Sequence, residues 1–346
     1  MRLCKRYAGS TGMNNNFEIF NYHLTKLESI LSMAQSEENP APFLYQNDGR
    51  TPLFMLEGLS RLYGNLHNKN KFEKLKNQFK VLEDALGSID YYDVYSKSYK
   101  NRKDVPESIQ NYMEQQRDLM FQNLNLELKQ RGWISDSSNR IKKMRKVLKE
   151  IDWFSPKKEI TEIKKVYLST IVSIQKFIEK TGNPFTQMEL QVHEVRRDLR
   201  WLSIYPHALR GKIQYGNEEG STSQVAPYAT EEIRNSKYNL FPNQTNEEWV
   251  LLLEKNYFFA LSWLIAEIGK LKDEGLEYYA LLEAFIQTEN LTEPDAILKT
   301  LKILNWNDSK FNSLLASASE ITNHFIQNGF LDKLVFGVSR TKRHKR

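Results

Sequence analysis

The sequence predicts an all-α protein. Apolar residues return at three- and four-residue steps in nearly every segment, and no run alternates with period two for long enough to argue for a sheet. The 346 residues include only 15 glycines and 10 prolines, set among long stretches of Leu, Lys, Glu and Ile that favour helix. Apolar residues make up 40% of the chain and aromatics 12%, which is enough to build a packed core.

Residues 16–35 carry Phe20, Leu24, Leu27 and Leu31 on one helical face. The stretch "SEENPAPF" (36–43) reads as a linker, because its two prolines cannot continue a helix. Helices follow over 52–66 and 71–87, separated by "HNKNK", and then over 107–131 and 138–152. Between the last two, Gly132 is the expected C-cap and Asp136 or Ser137 the N-cap. The next helices span 159–181, stopped by "TGNP", and 186–205. Residues 211–246, rich in Gly, Asn, Ser and Pro, read as a long surface insertion. Helices resume over 247–272, 275–289, 293–304 and 308–328. The end reads as a basic tail with Arg340, Lys342, Arg343, Lys345 and Arg346. These boundaries give an N-terminal helix and linker (1–42), two helical parts (43–182 and 183–335) and the tail (336–346).

Lys and Arg outnumber Asp and Glu by 49 to 43, a net charge of +6 that mildly favours a polyanionic partner. Cys4 is alone, so an intrachain disulfide and a thiolate zinc site are both excluded. The start, "MRLCKRYAGSTGMNNN", lacks the apolar core of a signal peptide. The most apolar segment, "NYFFALSWLIAEIGKLKD", falls short of the about 20 apolar residues a membrane span needs. A cytoplasmic chain without a membrane partner is the expectation.

The segment "LQVHEVRRDLRWLSIY" (190–205) carries the strongest chemical signal. His193, Arg196, Arg197 and Arg200 share one helical face, beside the stripe Val192, Val195, Leu199 and Leu202 that the helix must bury. A related arrangement occurs earlier in the chain. Arg61 aligns with Arg200, and Leu86-Gly87 with Ile268-Gly269; removing 211–246 brings the two separations close.

"HEVRRDLRWL" (193–202) and "LEDALGSIDYYDV" (82–94) resemble the two elements of the CHAD family, the conserved histidine α-helical domains. The resemblance covers about residues 50–330. It implies two four-helix-bundle-like halves related by pseudo-twofold symmetry, with a basic central groove that binds inorganic polyphosphate without catalysis. In the first half, Phe54 and Glu57 stand where the pattern has His and its first Arg, and only Arg61 remains of that basic set. Asp90 stands at the Arg position of the second element and Tyr91 at its first Asp.

The residue chemistry suits such a ligand. Polyphosphate offers a string of anionic oxygens, and a row of guanidinium forks pairs with them through short, charge-assisted bonds. His193 adds a donor when protonated. "NRIKKMRKVLKEI" (139–151) and "SPKKEITEIKKVY" (155–167) supply a candidate second wall through Arg140, Lys143, Lys146 and Lys165. Lys74, Lys76 and Lys80 are lesser candidates.

Three other readings compete. The same basic faces suit a nucleic acid. A purely structural helical adaptor would bury the stripe in ion pairs with Glu83, Asp84, Asp90 or Asp93. Asp90 and Asp93, one helical turn apart in "IDYYD", could ligate Mg²⁺ in a prenyl-type synthase. No His-Glu-x-x-His, Gly-x-x-x-x-Gly-Lys-Ser/Thr or Gly-x-Ser-x-Gly motif occurs, so no cofactor is expected.

Overall fold

The computed structural model describes residues 15–135, 140–216, 224–243 and 247–341. Helix dominates it. The first helix, α1 (Asn15–Ala34), buries Phe20, Leu24, Leu27 and Leu31, as their spacing requires. The expected linker is partly helical: Pro40 starts a short α2 (Pro40–Gln46), because a proline at the first helical position forfeits only an N–H that would be unpaired anyway. Asn125 fixes this helix by accepting from the Ala41 N–H at 2.8 Å.

Next come α3 (Arg50–Leu66) and α4 (Lys69–Tyr99), the latter capped where Asn68 accepts from the Lys71 N–H. The second helix runs well past residue 87, since Ile89, Tyr95 and Tyr99 continue its buried stripe. It is followed by α5 (Glu107–Gln130), after which Gly132 takes the left-handed conformation at φ 66°. The proposed caps Asp136 and Ser137 lie outside the described residues. Then follow α6 (Arg140–Lys149) and α7 (Pro156–Thr181). A π-helical turn, Met188–His193, leads into α8 (Glu194–Ala208), whose Val195, Leu199 and Leu202 are fully buried.

Four departures follow in the second part and the tail. Residues 213–215 form β1 (Ile213–Tyr215), and the described remainder of the insertion packs on the core with Val225, Ile233 and Asn239 buried. It includes α9 (Glu231–Asn235). The segment predicted to open a helix at 247 is instead β2 (Trp249–Leu253). The predicted break near residue 273 is absent, and α10 (Lys255–Glu289) is continuous through Gly275, whose missing side chain leaves room for Met188. After α11 (Glu293–Leu304) and α12 (Lys310–Gln327), the start of the expected tail is β3 (Val335–Arg340). Lys342, Arg343, Lys345 and Arg346 lie outside the described residues. The sheet order is β1-β2-β3, with β1 parallel and β3 antiparallel to β2.

One large core draws on both parts of the chain, from Phe17 to Leu334, and a second joins Tyr95, Tyr99, Ile109 and Met113 to Ala280, Leu281 and Phe285. The contact that positions the candidate site is the crossing of α3 and α8. A Cβ at Gly58 would stand 3.2 Å from Ile204 and 3.4 Å from Trp201, so these α8 side chains pack directly on the bare backbone of α3. Gly58→Leu is expected to destabilise the fold by about 2 kcal/mol through overpacking at this crossing. The shift in urea midpoint measures it; an unchanged midpoint would mean the crossing is loose.

Candidate anion-binding site

The α3–α8 crossing brings a set of arginines onto one aromatic ring. Phe54 of α3 carries the Arg50 guanidinium at 5.3 Å from its centroid and the Arg200 guanidinium at 4.9 Å. Such stacking holds a cation without cancelling its charge. Arg50 is also neutralised, by Glu83 at 2.8 Å and Asp90 at 3.0 Å. Arg200 is not: it is partly buried, and no carboxylate among the described residues lies within salt-bridge distance of it. Burial, with Arg196 and Arg50 alongside, pushes its pKa down to about 10.

Arg196, one turn back on α8, donates from Nε to the Ile265 carbonyl at 3.3 Å. Burial lowers its pKa too, opposed by Asp273. Its guanidinium lies on Gly269, where an added Cβ would be 2.9 Å from Nε; Arg50 lies in the same way on Gly87, at 3.0 Å from Nη2. The two glycines aligned in the sequence thus each seat an arginine.

The rest of the predicted stripe is satisfied internally. His193 Nδ1 meets Glu189 Oε2 at 3.0 Å, and that contact holds the Glu189 carboxyl below its ordinary pKa. Arg197 pairs with Glu194, one turn away on its own helix. Arg61 stacks on Trp201 at 4.5 Å and reaches Glu57 at 3.5 Å, while burial raises the pKa of Glu57. The acids proposed to neutralise α8 are engaged elsewhere. Glu83 and Asp90 go to Arg50, Asp84 to Lys80, and Asp93 to Lys97 and Tyr45.

The second wall is not where the sequence reading put it. Arg140 donates to Gln78 on α4, whereas the arginine cluster lies at Gly87. These positions are on opposite faces of α4 at about 100° per residue. Lys143 and Lys146 share α6 with Arg145, which is bound to Glu28 of α1, and Lys165 is exposed on α7 beside Glu162. A helix rich in lysine on all sides presents cations wherever it packs, so composition alone could not orient α6. The aspartates of "IDYYD" hydrogen-bond to Tyr45, Arg50 and Lys97, and no group of three or more potential metal ligands occurs among the described residues. No helix among the described residues is long and apolar enough to cross a membrane.

Sequence reasoning missed Arg50 and the role of Phe54. The only signal was their i, i+4 spacing and the alignment of Phe54 with His193. Comparison with protein-family models, with characterised proteins and with solved structures finds no match to this chain.

Proposed function

We propose that the chain binds a phosphate-rich polyanion, such as inorganic polyphosphate, without catalysis, through Arg200, Arg196 and Arg50. The carrying observation is Arg200: a partly buried guanidinium beside two others, with no carboxylate within salt-bridge distance among the described residues and only one, Glu83, already paired with Arg50, near enough to favour its charge. Desolvating a cation without a counter-charge costs free energy, and arginine cannot escape by losing its proton near neutral pH. An incoming anion offsets that cost. The CHAD-like residues 193–202 and the paired seats at Gly87 and Gly269 support the same reading.

Titration with polyphosphate at several salt concentrations tests it. Arg200 and Arg196, which have no carboxylate within salt-bridge distance among the described residues, predict a slope of log affinity on log salt of about −1.4, taking the dependence for single-stranded nucleic acid as guide. Arg196→Ala/Arg200→Ala should weaken binding at least tenfold. The same variant should stay folded, because relief of the uncompensated charge offsets the lost packing of the two side chains. Duplex DNA and RNA serve as competitors, and displacement of polyphosphate by either at matched charge would transfer the reading to nucleic acid. The adaptor reading draws on the pairing of His193, Arg197 and Arg61 with acids one turn away. Absence of binding at low salt would favour it.

A further inference from the structure

Two acids hold Arg50, and they differ in how easily they let go. Glu83 and Asp90 stand two turns apart on one face of α4, with the Arg50 guanidinium between them over Gly87. Arg50 donates from Nε to Glu83 at 2.8 Å and from Nη1 to Asp90 at 3.0 Å. The Glu83 side chain is 9% exposed, so parting from Arg50 would strand its charge away from water. The Asp90 side chain is 47% exposed and regains water when it leaves.

The second oxygen of Asp90 adds little hold. It accepts from the Tyr45 hydroxyl at 3.1 Å, but that hydroxyl has one proton to give and stands closer to Asp93, at 2.9 Å. Asp93 is buried and also takes Lys97, which fixes it in place. Asp90 is thus the displaceable member of the group.

What Asp90 occupies borders the anion site. Arg50 and Arg200 share the ring of Phe54, at 5.3 Å and 4.9 Å from its centroid. A ligand lying on Arg200 therefore has Arg50 as its neighbour. Phosphate and carboxylate oxygens seek the same charge-assisted bond from a guanidinium, so at Nη1 one excludes the other.

We propose that Asp90 is an internal competitor for the anion. It holds Nη1 of Arg50 in the free chain, and the ligand must displace it to gain the third guanidinium. Asp90 is a positioning residue: it acts on the ligand only through Arg50. The proposal rests on the polyanion reading.

A double-mutant cycle with polyphosphate as the probe, titrated at low salt, tests it. Asp90→Asn should tighten binding about threefold to fivefold, the worth of one half-exposed ion pair. The asparagine keeps an acceptor for Tyr45, so the melting temperature should stay close to wild type. In an Arg50→Gln background, where glutamine still offers Glu83 a donor, Asp90→Asn should change affinity by less than about twofold. Asp104→Asn removes the same charge at a pair whose arginine, Arg102, stays neutralised by Glu277, and should also have less than about a twofold effect. Wild-type binding with no gain in Asp90→Asn overturns this proposal and leaves the polyanion reading standing. An equal gain in both backgrounds, or a matching gain in Asp104→Asn, overturns it too, because Asp90 would then act by charge alone. A wild-type chain that does not bind at low salt removes both.

Discussion

Lys212→Met is expected to destabilise the protein by about 3–5 kcal/mol, the range for stripping one partner from a buried ion pair. Lys212 is only 2% exposed. Its ammonium donates to Asn16 Oδ1 at 2.5 Å and lies 3.7 Å from the carboxylate of Glu247, itself 5% exposed. The backbone puts it there: the Lys212 N–H donates to Leu209 at the end of α8, and its carbonyl accepts from Leu251 at 2.9 Å, the contact that aligns β1 with β2. One side chain therefore ties α1 to the segment entering the sheet. Methionine keeps the bulk and removes the charge, so the loss measures electrostatics rather than a cavity. Urea unfolding reads it as a lower midpoint at constant slope. Lys212→Met/Glu247→Leu should recover part of the loss, because it removes the buried carboxylate that the single variant leaves without Lys212. A single variant within about 1 kcal/mol of wild type would mean that the pair is hydrated.

The same segment shows why the sequence was only partly legible. Helices such as α1, α3 and α8 announce themselves because each buries one stripe against one core, and three- to four-residue spacing records that directly. The stretch "WVLLL" of β2 is apolar on nearly every residue and too short to show a period, so it merged with the helix after it. The gap expected between 272 and 275 does not interrupt α10, and Gly275 beside it carries a helix penalty of only about 1 kcal/mol while Met188 packs over it.

The site divides in the same way. Helical spacing placed His193, Arg196, Arg197 and Arg200 together, and Glu189 and Glu194 stood in reach of two of them at i−4 and i−3. What spacing could not tell was which cation would be left over. That was decided by the crossing at Gly58, which sets Phe54 under Arg200, and by Arg50, which takes Glu83 and Asp90 first. Tertiary competition for acids leaves no local pattern.

Acid should destabilise this fold through His23, by about 3 kcal/mol between pH 6.5 and pH 4. His23 shares the buried side of α1 with Phe20, Leu24 and Leu27, and is 5% exposed. Its Nε2–H donates to the Ala208 carbonyl at 3.0 Å, joining α1 to the end of α8. Burial pushes its pKa down to about 4; the Ala208 bond opposes this, while Arg210 and Lys26 add to it. The ordinary value is 6.5. The folded chain therefore keeps the ring neutral where the unfolded chain already binds a proton. Between those two values unfolding takes up a proton, so stability rises with pH. The contribution is complete above about pH 6.5 and is lost as pH falls towards 4. His23→Gln supplies a donor for Ala208 that never charges, so it isolates this effect from the carboxylates, which titrate alike in both proteins. Urea unfolding at pH 7.5, 6, 5 and 4 should show wild type losing about 3 kcal/mol more than the variant across that range. Parallel curves for the two proteins would show that His23 is hydrated or that α1 loosens before the ring takes its proton.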